Sequence, residues 1–369
     1  MTVFALLFPL VMLTLVAAVM LAMPRLVPRT VPLGVRIPSA RVAEPVVADA
    51  VRRYRVLTVF AWASAVVLCL ILVWFAPALS VLVATLVFVA LQVTAYITSR
   101  TAIQRAKRDE DWYAGATVRL AANLQPTHVR PPAGWFAAAL VLLLATAAIG
   151  VALYPTLPAT LVTHWGADGR PDELAEKSVW VVFGPLVIAA AVALGLFALS
   201  FTLRISPVRA TPAETPQRNR ARAAALRGLS SALLGQLGLV IALEFAWISL
   251  SGWLLPGSSS AMLTGTIVPV VLIVVALAVF ILRFRRAVRP EDDSKGDADA
   301  PDDDRYWKAG LIYVNPDDPS FLVQKRFGVG WTLNFGHPLG IVIAVVLLAI
   351  IVGLLGYGIL TGTHQGAHS

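Results

Sequence analysis

One acid stands deep inside an apolar run: Glu244, within LVIALEFAWISL. A carboxylate at that depth in a bilayer is costly and usually marks an ion pathway, a proton relay or a counter-ion for a ligand. No Lys, Arg or His falls inside any apolar run of the chain. Glu244 is therefore protonated, faces a wet cavity, or meets a cation or a cationic ligand. Gln236 and Gln92 offer amides that can bond to it across helices. Two readings stand side by side: a ligand or coupling acid, and a packing acid hydrogen-bonded to a neighbouring helix.

A second concentration of chemistry lies in PTLPATLVTHWGADGRPDELAEKS, residues 155–178, with His164, Asp168, Asp172, Glu173 and Lys177. An imidazole and two carboxylates suit a divalent metal. The set matches no standard metal signature, so the expectation is no metal and a structured loop, with Asp168 and Asp172 as turn and cap residues. Gly166, Gly169 and Pro171 exclude a regular helix there. The chain has no GxSxG, HExxH, GxxxxGK[ST] or GxGxxG. The expectation is no catalytic residue, no cofactor and no enzyme.

The elements that hold these residues are membrane helices. The 369 residues are 58% hydrophobic and 14% charged, against roughly 25% charged in soluble domains. Eight apolar runs reach the length of a transmembrane helix. They are Val3–Met23, Val56–Ala76, Ala78–Ile97, Trp135–Leu153, Val179–Leu203, Leu229–Leu255, Met262–Leu282 and Leu339–Leu360. The predicted fold is an all-α integral membrane protein of about eight helices, with a small cytoplasmic β-hairpin module before the last. Pro77 separates runs two and three and forces a tight helical hairpin. Gly184-Pro185 and Pro269 interrupt helical bonding inside runs five and seven. The single cysteine, Cys69, lies in an apolar run and reads as a small buried hydrophobe.

Charge sets the orientation. Of 30 Lys and Arg, 28 lie in loops 24–55, 99–134, 204–228 and 283–338, all on one side of an eight-span chain. By the positive-inside rule that side is cytoplasmic and both termini are outside. The net charge of +9 is thus matched to anionic lipid headgroups and not to nucleic acid.

The division expected is a four-helix region (1–153), an external loop with the fifth span (154–204), spans six and seven (205–290), and an acidic disordered linker (291–304). A cytoplasmic module (305–337) and the last span with an external tail (338–369) complete it. The linker, EDDSKGDADAPDDD, carries eight acids and one lysine. Residues 42–56 read either as a short interfacial helix leading into run two or as an ordinary basic helix entry. In the module, Leu311–Val314 and Phe321–Val323 are β-type runs, expected to pair across the Asn315–Pro319 turn. Tyr306, Trp307, Trp331 and Phe335 suit the headgroup level, and Lys325-Arg326 suit lipid phosphates.

Two stretches resemble known families. Leu157-Pro158, His164-Trp165, Gly169, Pro171-Asp172 and Lys177, within residues 155–185, resemble the domain-of-unknown-function 1648 family, which includes the SdpI-like immunity proteins of Gram-positive bacteria. Tyr306-Trp307, Gly310, Asn315-Pro316, Asp318-Pro319, Lys325-Arg326, Trp331 and Asn334, within 305–337, resemble domain of unknown function 5808. The first resemblance implies a bacterial plasma-membrane protein that meets a peptide ligand outside and senses it or gives immunity to it. A cytoplasmic regulator protein would then receive the signal. The alternative is a secondary transporter using Glu244.

Overall fold

The computed structural model describes residues 3–118, 123–124, 132–165, 171–205, 208–209, 215–288, 300–328, 330–346, 348–349 and 352. Among these, seven helices are long and apolar enough to cross a membrane. They are α1 (Val3–Leu26), α2 (Pro45–Phe75), α3 (Pro77–Asp109), α4 (Ala133–Leu153), α5 (Val179–Ile205), α6 (Pro216–Leu254) and α7 (Ser259–Val288). The expected eighth run begins as a helix over 338–346, and most of its remainder lies outside the described residues. So do residues 291–299 of the acidic stretch.

Proline sets several boundaries. Pro45, Pro77 and Pro216 each occupy the first turn of a helix, where a missing N–H costs nothing. The Thr215 hydroxyl caps α6 by accepting from Arg218 N–H at 3.3 Å. Pro185 and Pro269 lie within helices that continue through them.

Helices α2, α3 and α6 have 31, 33 and 39 residues, or about 46, 50 and 58 Å of rise. Hydrocarbon needs about 30 Å, so the apolar runs are the inner parts of longer helices. Residues 45–56 are accordingly the basic entry of α2 and no separate interfacial helix, because α2 is continuous from Pro45.

The helices pack as two groups, α1–α3 and α4–α7, which meet where α1 touches α7. Alanines let α2 and α3 approach closely: Ala61, Ala65 and Ala84 are buried with Cys69 and Phe88.

Short antiparallel β-pairs complete the fold. Strands β1 (Asn123–Leu124) and β4 (Val208–Arg209) pair with each other, as do β2 (Thr160–Trp165) and β3 (Pro171–Glu176). Near the C-terminus β5 (Trp307–Lys308) pairs with β6 (Ile312–Tyr313), and β7 (Leu322–Gln324) with β8 (Trp331–Leu333). The run at 311–314 therefore does not pair with that at 321–323, which corrects the single hairpin expected from the sequence. Ala309 and Gly310, both at positive φ, turn β5 into β6. The Asn315–Pro319 segment instead crosses between the two hairpins, which a parallel Tyr313–Asn334 bridge joins.

Candidate functional site

The helices carry a candidate site at each end. At one end the β2–β3 hairpin covers α5 and α6. Its register runs Thr160 opposite Glu176, Leu161 opposite Ala175 and Val162 opposite Leu174, then slips on either side of His164. Leu157 and Leu161 are buried against α4, α5 and α6. Lys177 fixes the base of the hairpin. Its ammonium donates to the Leu157 carbonyl at 3.0 Å and stands over the Tyr154 ring at 5.4 Å. A cation there also suits the negative end of α4.

Between the hairpin and the two helices lies a cleft of about 450 Å³, lined by Thr163, Glu173, Trp180, Phe245, Ser249 and Trp253 among others. It is mostly apolar with a few polar groups, the usual make-up of a ligand site. Val181 and Pro185 also line it. Pro185 has no N–H to donate to the Val181 carbonyl, four residues back. The Ser249 hydroxyl is buried without a partner among the described residues. Gly150 of α4 makes room for the cleft's Trp253, since a Cβ there would stand 2.6 Å from the indole.

At the other end sits the module. Phe327 packs against Tyr96 and Tyr54, with ring centroids 4.6 and 5.7 Å apart. The Trp331 N–H donates to Ser230 of α6 at 3.4 Å. Ser230 is 23 residues before Trp253 on one helix, or about 34 Å along its axis. The module and the cleft therefore occupy opposite ends of α6.

An ion network holds the module down. Arg326, 4% exposed, binds Asp303 and Asp304. Arg36 meets Asp303 at 2.7 Å, and its backbone N–H donates to Asp304 at 3.1 Å. Lys107, at the end of α3, pairs with Asp302 at 2.8 Å and Asp304 at 2.7 Å. Burial works to raise the Asp304 carboxyl, but Arg326, Lys107 and the Arg36 N–H outweigh it and hold the group below the usual carboxylate range. Two expectations are corrected here. Asp302–Asp304, the end of the stretch expected to be a disordered linker, are bound in place. Arg326 is committed to aspartates and is not free for lipid phosphates, while its neighbour Lys325 is exposed.

Within the module the residues singled out by type are structural. Asn334 is fully buried and satisfies the loop around Asn315 and Pro316. Tyr306 and Trp307 pack on Tyr313.

Other sequence candidates separate. Gln92 donates to the Tyr54 hydroxyl at 2.9 Å, and Tyr54 donates to the Met20 carbonyl at 3.1 Å, so this amide braces α1, α2 and α3. Glu244 belongs to the other helix group. Gln236 shares α6 with it, but eight residues, about 12 Å of helix, separate them. Glu244 is half-buried and makes no side-chain hydrogen bond among the described residues. The side chains of His164, Trp165, Pro171 and Asp172, and all of Asp168 and Gly169, lie outside what is described.

Sequence reasoning missed Arg36, Lys107, Ser249 and Trp253. Eight acids preceding a basic module were a signal for the network. The cleft residues had no signal of their own, being ordinary members of apolar helices.

Two family models match the chain. One, described as domain of unknown function (DUF1648), covers residues 141–189. The other, family of unknown function (DUF5808), covers residues 316–341. The first spans the end of α4, the β2–β3 hairpin and the start of α5, of which the hairpin and α5 line the cleft together with α6. The second spans β7, β8 and the start of the helix at 338. No curated protein and no solved structure matched the chain.

Proposed function

We propose that this chain is a multi-pass protein of a bacterial plasma membrane that binds a membrane-active peptide outside and relays its presence to the cytoplasm. The seven long apolar helices fit a lipid solvent. In this reading the hairpin end faces outside and the basic module end faces the cytoplasm, in line with the positive-inside rule. One observation carries the reading: α6 lines the cleft at Ser249 and Trp253 and meets the module at Ser230. A ligand that shifts α6 at one end acts on the module at the other. The cleft suits an apolar side chain, and Glu173 at its rim suits a cationic residue beside it.

The test uses the full chain in lipid nanodiscs and a synthetic amphipathic Leu/Lys peptide carrying a photo-crosslinker. Saturable crosslinks to residues 161–188 and 245–253 are expected, with altered hydrogen exchange over 305–337. Crosslinks confined to the module end, or no saturation, would overturn the reading.

A transporter is the second reading. Its support is Glu244, which lacks a side-chain hydrogen bond among the described residues and precedes Phe245 of the cleft.

A further inference from the structure

Helices α1–α3 and α4–α7 form two groups, and the main contact between their helices is that of α1 with α7. Lipid gives helices no hydrophobic drive to associate, so packing and polar contacts must hold the groups together. Two bodies that share a small interface move relative to one another by default.

The β7–β8 hairpin touches both groups. Phe327, in its turn, packs into the core of the first group, against Tyr54 of α2 and Tyr96 of α3. Trp331, four residues on, packs against the cluster of Ala223, Leu226, Phe280 and Phe284 that joins α6 to α7. Its N–H also reaches Ser230 of α6 at 3.4 Å. The two rings are held in a fixed relation. Gln324 lies opposite Trp331 in the β7–β8 register, and the Lys325 N–H closes the turn on the Gly330 carbonyl at 3.0 Å. On the first group's side Arg326 adds to the grip, because its aspartates also bind Arg36 and Lys107.

We propose that the β7–β8 hairpin is a strap between the two helix groups, with Phe327 and Trp331 as its anchors, and that lifting either anchor lets the groups part at this end of the molecule. An aromatic ring covers a large apolar area from one side chain, so losing one ring removes a large part of the hairpin's grip on that group. The family match over 316–341 contains both anchors, and the match over 141–189 belongs wholly to the second group. The strap thus ties the half that carries the cleft to α1–α3, whatever the cleft binds.

The experiment uses the full chain with Cys69→Ala in phosphatidylcholine nanodiscs. Spin labels are placed at Arg105→Cys on α3 and Arg220→Cys on α6, both exposed positions. A control pair, Arg53→Cys with Arg105→Cys, reports α2 against α3 within one group. Pulsed electron resonance should give a narrow 105–220 distance while the strap is intact. Trp331→Ala and Phe327→Ala should each lengthen and broaden it and leave the control distance unchanged. A 105–220 distance equal to wild type in both variants would show that the groups are held without the strap, and would overturn the proposal. Where an alanine variant alters the control distance, Trp331→Leu decides, since it keeps apolar bulk but loses the ring and its N–H. A broader 105–220 distance over a sound control supports the strap, and any other result with that variant overturns it.

Discussion

Asn334 and Asn315 hold each other by two hydrogen bonds. The Asn334 Oδ1 accepts from the Asn315 backbone N–H at 3.0 Å, and its Nδ2 donates to the Asn315 carbonyl at 2.9 Å. The same amide donates to the Asp318 and Ser320 carbonyls at 3.2 and 3.0 Å and accepts from Gly336 N–H at 2.9 Å. One side chain thus replaces the backbone pairing that the crossing segment cannot make for itself. Asn334→Ala removes five hydrogen bonds and leaves buried carbonyls unpaired. A loss of about 3 kcal/mol in module stability is expected, read as faster hydrogen exchange at residues 313–324. Exchange equal to wild type would show that the loop is held by other contacts.

Much of this architecture was legible in the sequence, for identifiable reasons. Apolar runs of membrane length located seven of the helices directly, because uninterrupted apolar runs of about 20 residues are too long for strands. Pro77 located the α2–α3 turn because it cannot accept a place inside the preceding helix. Helix lengths were underestimated because Arg52 or Lys107 lowers hydropathy without breaking a helix. The pairing of β5–β8 was not legible, since it depends on Asn334 reaching back to Asn315 across 19 positions. Nor were the partners in the ion network: composition marks Asp302–Asp304 as solvated, and tertiary contact with Lys107 and Arg36 overrides it. The cleft needed α5, α6 and the hairpin assembled before any residue in it could be distinguished.

The network makes module docking sensitive to acid. The Asp304 carboxyl is held below its usual range by Arg326, Lys107 and Arg36, against the opposing effect of burial. A depressed carboxylate contributes stability that is complete above its unfolded value, about pH 4, and is lost as pH falls through the folded value. Docking should therefore be constant near neutrality and weaken progressively below about pH 4. Asp304→Asn should weaken it at all pH values and flatten that acid dependence. Arg326→Met, which leaves buried aspartates short of a partner, should cost about 3 kcal/mol. Limited proteolysis between residues 300 and 337 reports each outcome. An unaltered acid profile in Asp304→Asn would remove this carboxylate as its source.

Gly310 permits the close approach of the module to α3. It has φ +71°, and a Cβ would press on Arg100 and Tyr96. Gly115 has a similar φ of +76° with open space around it, so it carries the backbone strain without the clash. Gly115→Ala should cost about 1 kcal/mol from strain alone. Gly310→Ala should cost more and separate the module from α3, seen as faster hydrogen exchange at residues 307–314. Equal effects of the two substitutions would show that strain, not contact, matters at Gly310.

Glu244 separates the two functional readings. An amide at that position keeps hydrogen-bonding capacity but cannot carry charge. If the chain relays a peptide signal through α6, Glu244→Gln should preserve both abundance and peptide crosslinking at the cleft, because the lining residues Phe245, Ser249 and Trp253 are untouched. If Glu244 couples transport to a proton or cation, the same variant should abolish flux at normal abundance. Glu244→Leu adds a control on packing. Removing an acid from an apolar setting relieves a cost of about 3 kcal/mol on insertion scales, so a packing-neutral acid predicts abundance equal to or above wild type. Reduced abundance in the leucine variant with normal abundance in the glutamine variant would instead show that Glu244 holds a hydrogen-bond partner within the bundle. Quantitative immunoblotting of membrane fractions gives abundance, and peptide crosslinking gives function. Loss of crosslinking in Glu244→Gln at full abundance would sink the relay reading as stated, because the acid itself would then belong to the binding site.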